Sequence, residues 1–291
     1  MVVNTFLDGP VSVLLLLLPI GALLVSFAQQ RRRMAAEAIA PFSELRRRPA
    51  GESLRMQIDD VSERINRWII CAAASPVILG LMLAAQHRPS AVSISLFFLS
   101  AALFCGATQR SLFPLLRKRS GYRLGYQGER YVAEELNRLM AYGFHAFHDV
   151  PFDEYHMDHV LVGPTGVFVI ETKTKRKPPV PEGKKKHEVV FDGIALLFPN
   201  GPDQRALEHV RRNRDTLSRW LSSATADQTC AEGILTIPGW NIARIGRSDI
   251  YVVNPKQIRQ LVLSCKQFQL TPSEIQRACH QLEQKCTLAA E

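Results

Sequence analysis

Three long apolar runs dominate the first third of the chain. Residues 11–28 carry no charged side chain, and a helix of about that length is needed to cross a bilayer core of about 30 Å. Two further runs, roughly 68–86 and 90–108, are joined by a short His-Arg-Pro connector. The pattern predicts three transmembrane helices, of which the last two form a hairpin. The alternatives are a cleavable signal peptide for the first run and two buried soluble helices for the hairpin.

From about residue 120 the apolar residues occur in shorter segments, with the spacing of amphipathic helices or of strands. Amphipathic helices are predicted in "YQGERYVAEELNRLMAYG" and "PDQRALEHVRRNRDTLSRWLSSA". Short apolar segments between and after them are typical of strands. A two-residue turn is predicted at Asp192-Gly193, and a capped helix start at Thr271-Pro272-Ser273-Glu274. The order of these elements predicts an α/β domain in which helices pack on a central sheet.

Positive charge is distributed unevenly around the apolar runs. The segment 29–67 contains nine arginines, and basic residues cluster again after the third run, whereas the hairpin connector contains only Arg88. Because basic loops stay in the cytoplasm, both basic segments are predicted to be cytoplasmic and the N-terminus to lie outside. We therefore expect an integral protein of a bacterial-type inner membrane, with everything after residue 110 in the cytoplasm.

This topology suggests a division of the first 120 residues. Residues 1–110 are predicted to form the membrane region, in which 29–67 is an Arg-rich cytoplasmic loop, and residues 111–120 a basic linker. The arginine runs at 31–33 and 46–48 are expected to contact anionic membrane lipids.

The composition and the cysteine spacing limit the classes of protein to which the chain can belong. The chain of 291 residues has 36 Lys and Arg against 27 Asp and Glu, a formal net charge of +9, which suits phosphate-rich or anionic-lipid partners. The six cysteines show no Cys-x-x-Cys spacing, so neither a disulfide framework nor a zinc signature is predicted. The sequence contains no Gly-rich phosphate loop and no nucleophile elbow, which argues against an NTPase or a serine hydrolase.

The stretch "HMDHVLVGPTGVFVIETKTK" combines an apolar hairpin with charges at its ends. Glu171 and Lys173 lie two apart on a strand and should point to one face, and antiparallel pairing should place Asp158 opposite or diagonal to them. Two carboxylates can hold Mg²⁺, and a lysine can orient water or offset charge in a phosphoryl transition state. The alternative is a structural salt bridge between Lys173 and a carboxylate near the strand end.

Two polar residues on the flanking helices extend this pattern. Glu129 lies near the start of the first amphipathic helix and Gln204 opens the second. Each is equally compatible with a solvated helix end. Their order with Asp158, Glu171 and Lys173 along helix, strand, strand and helix favours a functional site.

Three segments, "GYQGERYVAEEL", the hairpin above and "FPNGPDQRALEHVRRN", resemble the nuclease-related domain (NERD) of the PD-(D/E)xK nuclease superfamily. The resemblance covers about 121–254 and implies a restriction-endonuclease-like central mixed sheet flanked by helices, with 255–291 as a C-terminal helical extension. His156 departs from the glutamine found in many relatives, and the segment after Lys173 is unusually rich in lysine and proline.

Carried over to this sequence, the resemblance assigns a role to each predicted site residue. Asp158 and Glu171 would be the ligands of Mg²⁺, with Mn²⁺ as an alternative ion. Lys173 would be the catalytic lysine, Glu129 the helix carboxylate and Gln204 the helix glutamine.

The densest basic run of the α/β part follows the site. It is expected to contact the phosphate backbone of a nucleic acid, although a solvated loop gives the same pattern. Its members are Lys175, Arg176, Lys177, Lys184, Lys185 and Lys186.

The expected function is therefore a membrane-anchored, Mg²⁺-dependent nuclease that acts on DNA or another polynucleotide, with DNA favoured over RNA. A catalytically inactive, membrane-tethered nucleic-acid-binding module is the first alternative. A membrane protein whose soluble domain recruits protein partners is the second.

Overall fold

The computed structural model describes residues 48–84, 90–153, 155–178, 187–265 and 268–288. Contacts divide the chain into two units. The helical unit contains the described part of Asp59–Arg119. The α/β unit combines residues 48–58 with the described part of Ser120–Glu291.

Two long helices come first in the described chain. Helix α1 spans Glu52–Ala84, and helix α2 spans Ala91–Asn137 before a 3₁₀ turn at Arg138–Tyr142. Helix α2 passes through Pro114 without ending, so the segment 111–120, predicted as a linker, is helical.

One helix of the described residues, Ala91–Tyr142, is long and apolar enough to cross a membrane, and its apolar window is almost wholly exposed. This supports the predicted run at 90–108 by length and composition only. The predicted run at 68–86 is helical up to Ala84. The run at 11–28 and most of the Arg-rich loop lie outside the described residues.

Nine strands and three more helices complete the described α/β unit. The strands are β1 His145–Pro151, β2 His156–Gly163, β3 Gly166–Thr172, β4 Glu188–Phe191, β5 Leu196–Phe198, β6 Gly201–Asp203, β7 Ala231–Thr236, β8 Asn241–Arg244 and β9 Tyr251–Val253. The helices are α3 Arg205–Thr225, α4 Pro255–Ser264 and α5 Pro272–Leu288. The predicted cap of α5 is present, since Thr271 Oγ1 accepts from the Glu274 amide and the Thr271 amide donates to Glu274 Oε2.

The main sheet has the order β1-β2-β3-β7-β9. Its first three strands are antiparallel, and β7 and β9 continue it in parallel. On one face of the sheet, valines of β2 and β3 pack against α3 and α5. On the other face, Leu161, Phe168 and Ile170 pack against α2 and α4. This alternation follows from the two-residue period of a strand, and it covers both faces with helices. The predicted α/β class with a mixed sheet is confirmed.

A second sheet was not predicted. Its order is β6-β5-β4-β8, and the buried side chains of Phe191, Leu196 and Trp240 belong to its own core. The predicted hairpin is present, but the two-residue turn was wrong, because Phe191 pairs with Leu196 and four residues connect them. Asp192 Oδ1 accepts from the amides of Ile194 at 2.8 Å and Ala195 at 2.7 Å, which stabilises the wider loop.

Candidate functional site

Asp158 and Glu171 lie opposite each other on the paired inner strands β2 and β3, near the end of β3. The register pairs His159 with Ile170, and the next pair in that register is Asp158 with Glu171. Asp158 Oδ2 also accepts a hydrogen bond of 2.8 Å from the Thr172 amide. Glu171 is 6% exposed, so the hairpin holds two carboxylates close together in a poorly hydrated place. The strand register thus brings these two residues together, and their role as metal ligands stays a prediction.

Helix α2 adds a third carboxylate, Glu129. The residue is 5% exposed, and within the described part of the chain its buried Oε2 has no hydrogen-bond partner. Burial, reinforced by the charges of Asp149 and Glu171, raises the pKa of Glu129 from 4.5 to about 8. The helix approaches this closely because residue 128 is glycine: a Cβ there would lie 2.0 Å from Thr174 Cγ2.

Asp158 is affected in the same way as Glu129. Burial raises the pKa of Asp158 well above its ordinary value, and the charges of Glu171 and Glu129 add to this, against the opposing hydrogen bond from Thr172. A cation placed among them would relieve the repulsion.

The donors present fit a hard divalent cation held by two carboxylates. No group of three or more His, Cys, Asp and Glu side chains among the described residues is arranged to hold a metal ion. Three carboxylates lie close enough to interact electrostatically, yet no three such side chains in the described part of the chain are arranged as ligands of one ion. Both observations hold if Asp158 and Glu171 are the two protein ligands, because Mg²⁺ commonly binds one or two carboxylates and keeps several waters. The unpartnered oxygen of Glu129 would then be able to accept a hydrogen bond from water.

Lys173 continues the line of β3, and its amide donates to the Thr236 carbonyl at 2.9 Å. Its ammonium group lies 3.0 Å from Asp203 Oδ2, so a salt bridge of the kind considered from the sequence is present, with a partner that the sequence did not indicate. Partial burial disfavours ionised Asp203, but the hydrogen bond and charge of Lys173 outweigh this and lower the pKa of Asp203. Gln204 follows directly as the N-cap residue of α3, with an exposed side chain.

Helix α3 contributes two residues that sequence reasoning missed. Asn213 is fully buried, and its Nδ2 donates to Glu171 Oε1 at 3.0 Å. His209 Nδ1 lies 3.5 Å from Glu171 Oε2. With Arg205 these residues recur every four positions, which places them on one face of a helix, and that spacing was the available signal.

A small pocket of about 270 Å³ opens beside Glu171. Its lining includes Lys173, Arg205 and His209, so cationic or neutral nitrogen groups face the carboxylate across the pocket. Among the described residues, a larger pocket of about 790 Å³ beside α5 is lined by none of the three clustered carboxylates. The small pocket combines a carboxylate of the cluster with basic side chains that can bind a phosphate group.

Asp149 forms a second buried acidic centre behind the site. It is fully buried with φ of 49°, and Arg48 donates to its Oδ2 through Nε at 2.8 Å and through Nη2. Ser53 Oγ donates to Asp149 Oδ1 and lies 2.8 Å from His156 Nε2. The arginine run at 46–48, expected to contact lipids, thus ends in a residue that neutralises a buried aspartate of the α/β unit.

The described part of the predicted basic run is partly engaged within the protein. The ammonium group of Lys175 lies 3.9 Å from the centre of the Phe198 ring, and Arg176 donates to Ser120 Oγ. Lys177 is exposed, and Lys184, Lys185 and Lys186 lie outside the described residues. The prediction that this run contacts nucleic acid stays a prediction.

Comparison with known proteins identifies one part of the chain. No curated protein and no solved structure shows significant similarity to it. The family model described as "Nuclease-related domain" (NERD) matches residues 124–238, a range that includes the three carboxylates, Lys173 and α3. The chain therefore carries a nuclease-related domain, NERD, at residues 124–238.

Proposed function

We propose that the protein is a membrane-anchored nuclease that hydrolyses phosphodiester bonds of DNA, with Mg²⁺ as its cofactor. The observation that carries the proposal is the cluster of Glu129, Asp158 and Glu171 within a nuclease-related domain. Three carboxylates buried close together are costly to a fold, and a divalent cation bound among them would offset that cost.

Asp158 and Glu171 would hold the metal ion. When bound, the ion would polarise the phosphoryl group and lower the pKa of a coordinated water. Asn213 fixes Glu171 by donating to Oε1, and His209 lies against the other oxygen, so the carboxylate keeps one orientation. Glu129 would accept a hydrogen bond from water, because its Oε2 is buried without a protein donor.

Lys173 and Arg205 would act on the phosphate. Both line the pocket beside Glu171, and a positive charge there would stabilise the additional negative charge of the transition state. Lys173 would have to share its ammonium group between Asp203 and the phosphate, so Asp203 would keep the lysine in place before substrate binds.

The ion pair between Lys173 and Asp203 also favours a second candidate, a catalytically inactive nucleic-acid-binding module. In that case Lys173 would be a structural residue, and the carboxylate cluster would bind a cation without turnover. Both candidates predict binding of nucleic acid, and only the first predicts cleavage.

A cleavage assay of the full chain in detergent separates the two. Labelled DNA and RNA, single-stranded and duplex, would be incubated with Mg²⁺, Mn²⁺ or EDTA. We expect Mg²⁺-dependent cleavage by the wild type and by Lys256→Ala, an exposed control on α4, and at least a hundredfold loss in Asp158→Asn and Lys173→Ala. Binding of every substrate without cleavage by the wild type would establish the inactive module.

Thermal melts give a test that does not depend on turnover. A ligand that binds only the folded state raises the melting temperature by mass action, so millimolar Mg²⁺ should stabilise the wild type. Asp158→Asn removes one ligand charge at nearly constant volume and should abolish this rise, while its stability in EDTA stays equal or increases. A wild type indifferent to Mg²⁺ would contradict the proposed metal site.

The proposed localisation is the inner membrane, with the nuclease-related domain on the cytoplasmic side. The long apolar helix that begins at Ala91 and the excess of arginine on both sides of the predicted hairpin support it. A reporter fused after residue 291 should be active in the cytoplasm. Activity only outside the cytoplasm would overturn the topology.

A further inference from the structure

A groove of about 640 Å³ lies where the first turns of α1 pass the C-terminal part of α2. Nothing in the sequence analysis assigned it a role. We call it the arginine–tyrosine groove after its main lining residues, Arg55, Arg123, Tyr126, Arg130 and Tyr131. All of them belong to the α/β unit.

The groove has the chemistry of a phosphate-binding surface. Arg123 and Arg130 are exposed, and the guanidinium of Arg130 lies 5.9 Å from the centre of the Tyr126 ring. Arg55 is paired with Glu52, and Glu134 also lines the groove, so Arg123 and Arg130 supply the excess positive charge. Guanidinium groups bind phosphate in a bidentate way, and tyrosine rings offer faces to bases.

The groove adjoins the carboxylate cluster. A Cβ on Gly51 would lie 2.7 Å from Tyr126 Cδ2 and 3.5 Å from Glu129 Oε2, so both side chains border the same point. Tyr126 and Glu129 are also three apart on α2 and thus on one helix face. A polynucleotide that passes Glu129 on the α2 side would next meet Arg123 and Arg130 of the groove.

We propose that the arginine–tyrosine groove binds the phosphate backbone of a polynucleotide strand where the strand leaves the carboxylate cluster. The proposal rests on the proposed function, because it requires that nucleic acid binds at the carboxylate cluster. Backbone contacts carry no sequence information, so the groove would set affinity and strand direction rather than sequence preference.

The test measures binding without cleavage. The full chain in detergent, in EDTA, would be titrated with labelled single-stranded and duplex DNA at several salt concentrations. The test variant is Arg123→Gln/Arg130→Gln, and Arg138→Gln/Arg259→Gln removes the same charge from exposed positions outside the groove. Glutamine is a good helix former, so circular dichroism should show both variants folded.

We expect the groove variant to bind at least tenfold more weakly at low salt, and the control to bind like the wild type. The slope of log affinity against log salt should fall by up to ~1.4 for single strands or ~1.8 for duplex, for two lost contacts. A substrate whose slope does not change does not occupy the groove, whereas a fall close to the value for its own class shows that both contacts are made.

Two results would overturn the proposal. One is equal affinity and equal salt slope for wild type and groove variant. The other is unchanged DNA binding by the groove variant combined with its loss of binding, in detergent, to water-soluble short-chain phosphatidylglycerol, which would assign the groove to lipid headgroups. Failure of the wild type to cleave with Mg²⁺ refutes only the proposed nuclease activity, because this measurement is made in EDTA.

Discussion

Replacing Glu129 with glutamine should stabilise the metal-free protein at pH 8 and above, and should change little below pH 4.5. The pKa of Glu129 in the folded protein is about 8, against 4.5 for the ordinary group. Between these values the folded state binds a proton that the unfolded state has lost, so stability falls as pH rises through this window and then levels off. At 1.36 kcal/mol per pH unit, ionised Glu129 destabilises the fold by up to ~5 kcal/mol.

Glutamine keeps the volume of the side chain and removes the charge. The gain of the variant over the wild type should therefore grow from nothing near pH 4.5 to up to ~5 kcal/mol above pH 8, which corresponds to about 10–20 °C in melting temperature for a domain of this size. Glu134→Gln, an exposed position on the same helix, is the matched control and should show no such pH dependence.

The assay is a series of thermal melts in EDTA from pH 5 to 9. Two histidines act with the opposite sign: burial lowers the pKa of His148 to about 4 and that of His159 well below 6.5. They add stability as pH rises towards 6.5, so above 6.5 the fall in stability comes from the buried carboxylates, and the difference between Glu129→Gln and the wild type measures the effect of the Glu129 charge, including its repulsion of Asp158. A constant difference between Glu129→Gln and the wild type across pH 5–9 would refute the reasoning.

Three further predictions follow from individual contacts. Gly128→Ala should destabilise the fold by ~1–3 kcal/mol through the clash with Thr174, and the double variant with Thr174→Ser, which removes the clashing methyl group, should recover most of the loss in melts. Asn213→Ala leaves Glu171 without its buried donor and should cost ~1–3 kcal/mol in urea unfolding; an unchanged midpoint would show that water replaces the amide. If the lysines at 184–186 contact duplex DNA, changing all three to alanine should flatten the salt slope by up to ~0.9 per lost contact, equally for every sequence; an unchanged slope would indicate a solvated loop.

The β2–β3 hairpin could be predicted because its strands and its turn are formed by residues close together in sequence. The two-residue period of the strands and the short turn fix which side chains face each other, and these alone place Asp158 against Glu171. Glu129 could be assigned only through the resemblance, since a glutamate near a helix start is otherwise ordinary. The four-residue spacing of Arg205, His209 and Asn213 indicates that they share one helix face. It does not indicate that Asn213 is buried against a carboxylate.

Features made by contacts distant in sequence could not be predicted. Arg48 and Asp149 are 101 positions apart, and an arginine run beside an apolar stretch looks the same whether it meets lipid or a buried aspartate. The second sheet is built of strands of only three or four residues. Such short segments show too few alternations to fix a partner strand, and tertiary packing decides their pairing.

The contacts of Arg48 and Ser53 with Asp149 also constrain how the protein can be made. Residues 48–58 leave the ribosome before the predicted membrane hairpin, and Asp149 leaves after it, so the α/β unit is interrupted in sequence by the helical unit. Its folding can finish only once the intervening helices have been synthesised and, in the proposed topology, inserted. A fragment starting at residue 120 would keep Asp149 but lose Arg48, and breaking a buried ion pair costs about 3–5 kcal/mol. In the proposed topology, membrane insertion of the hairpin would therefore precede completion of the α/β unit that carries the nuclease-related domain.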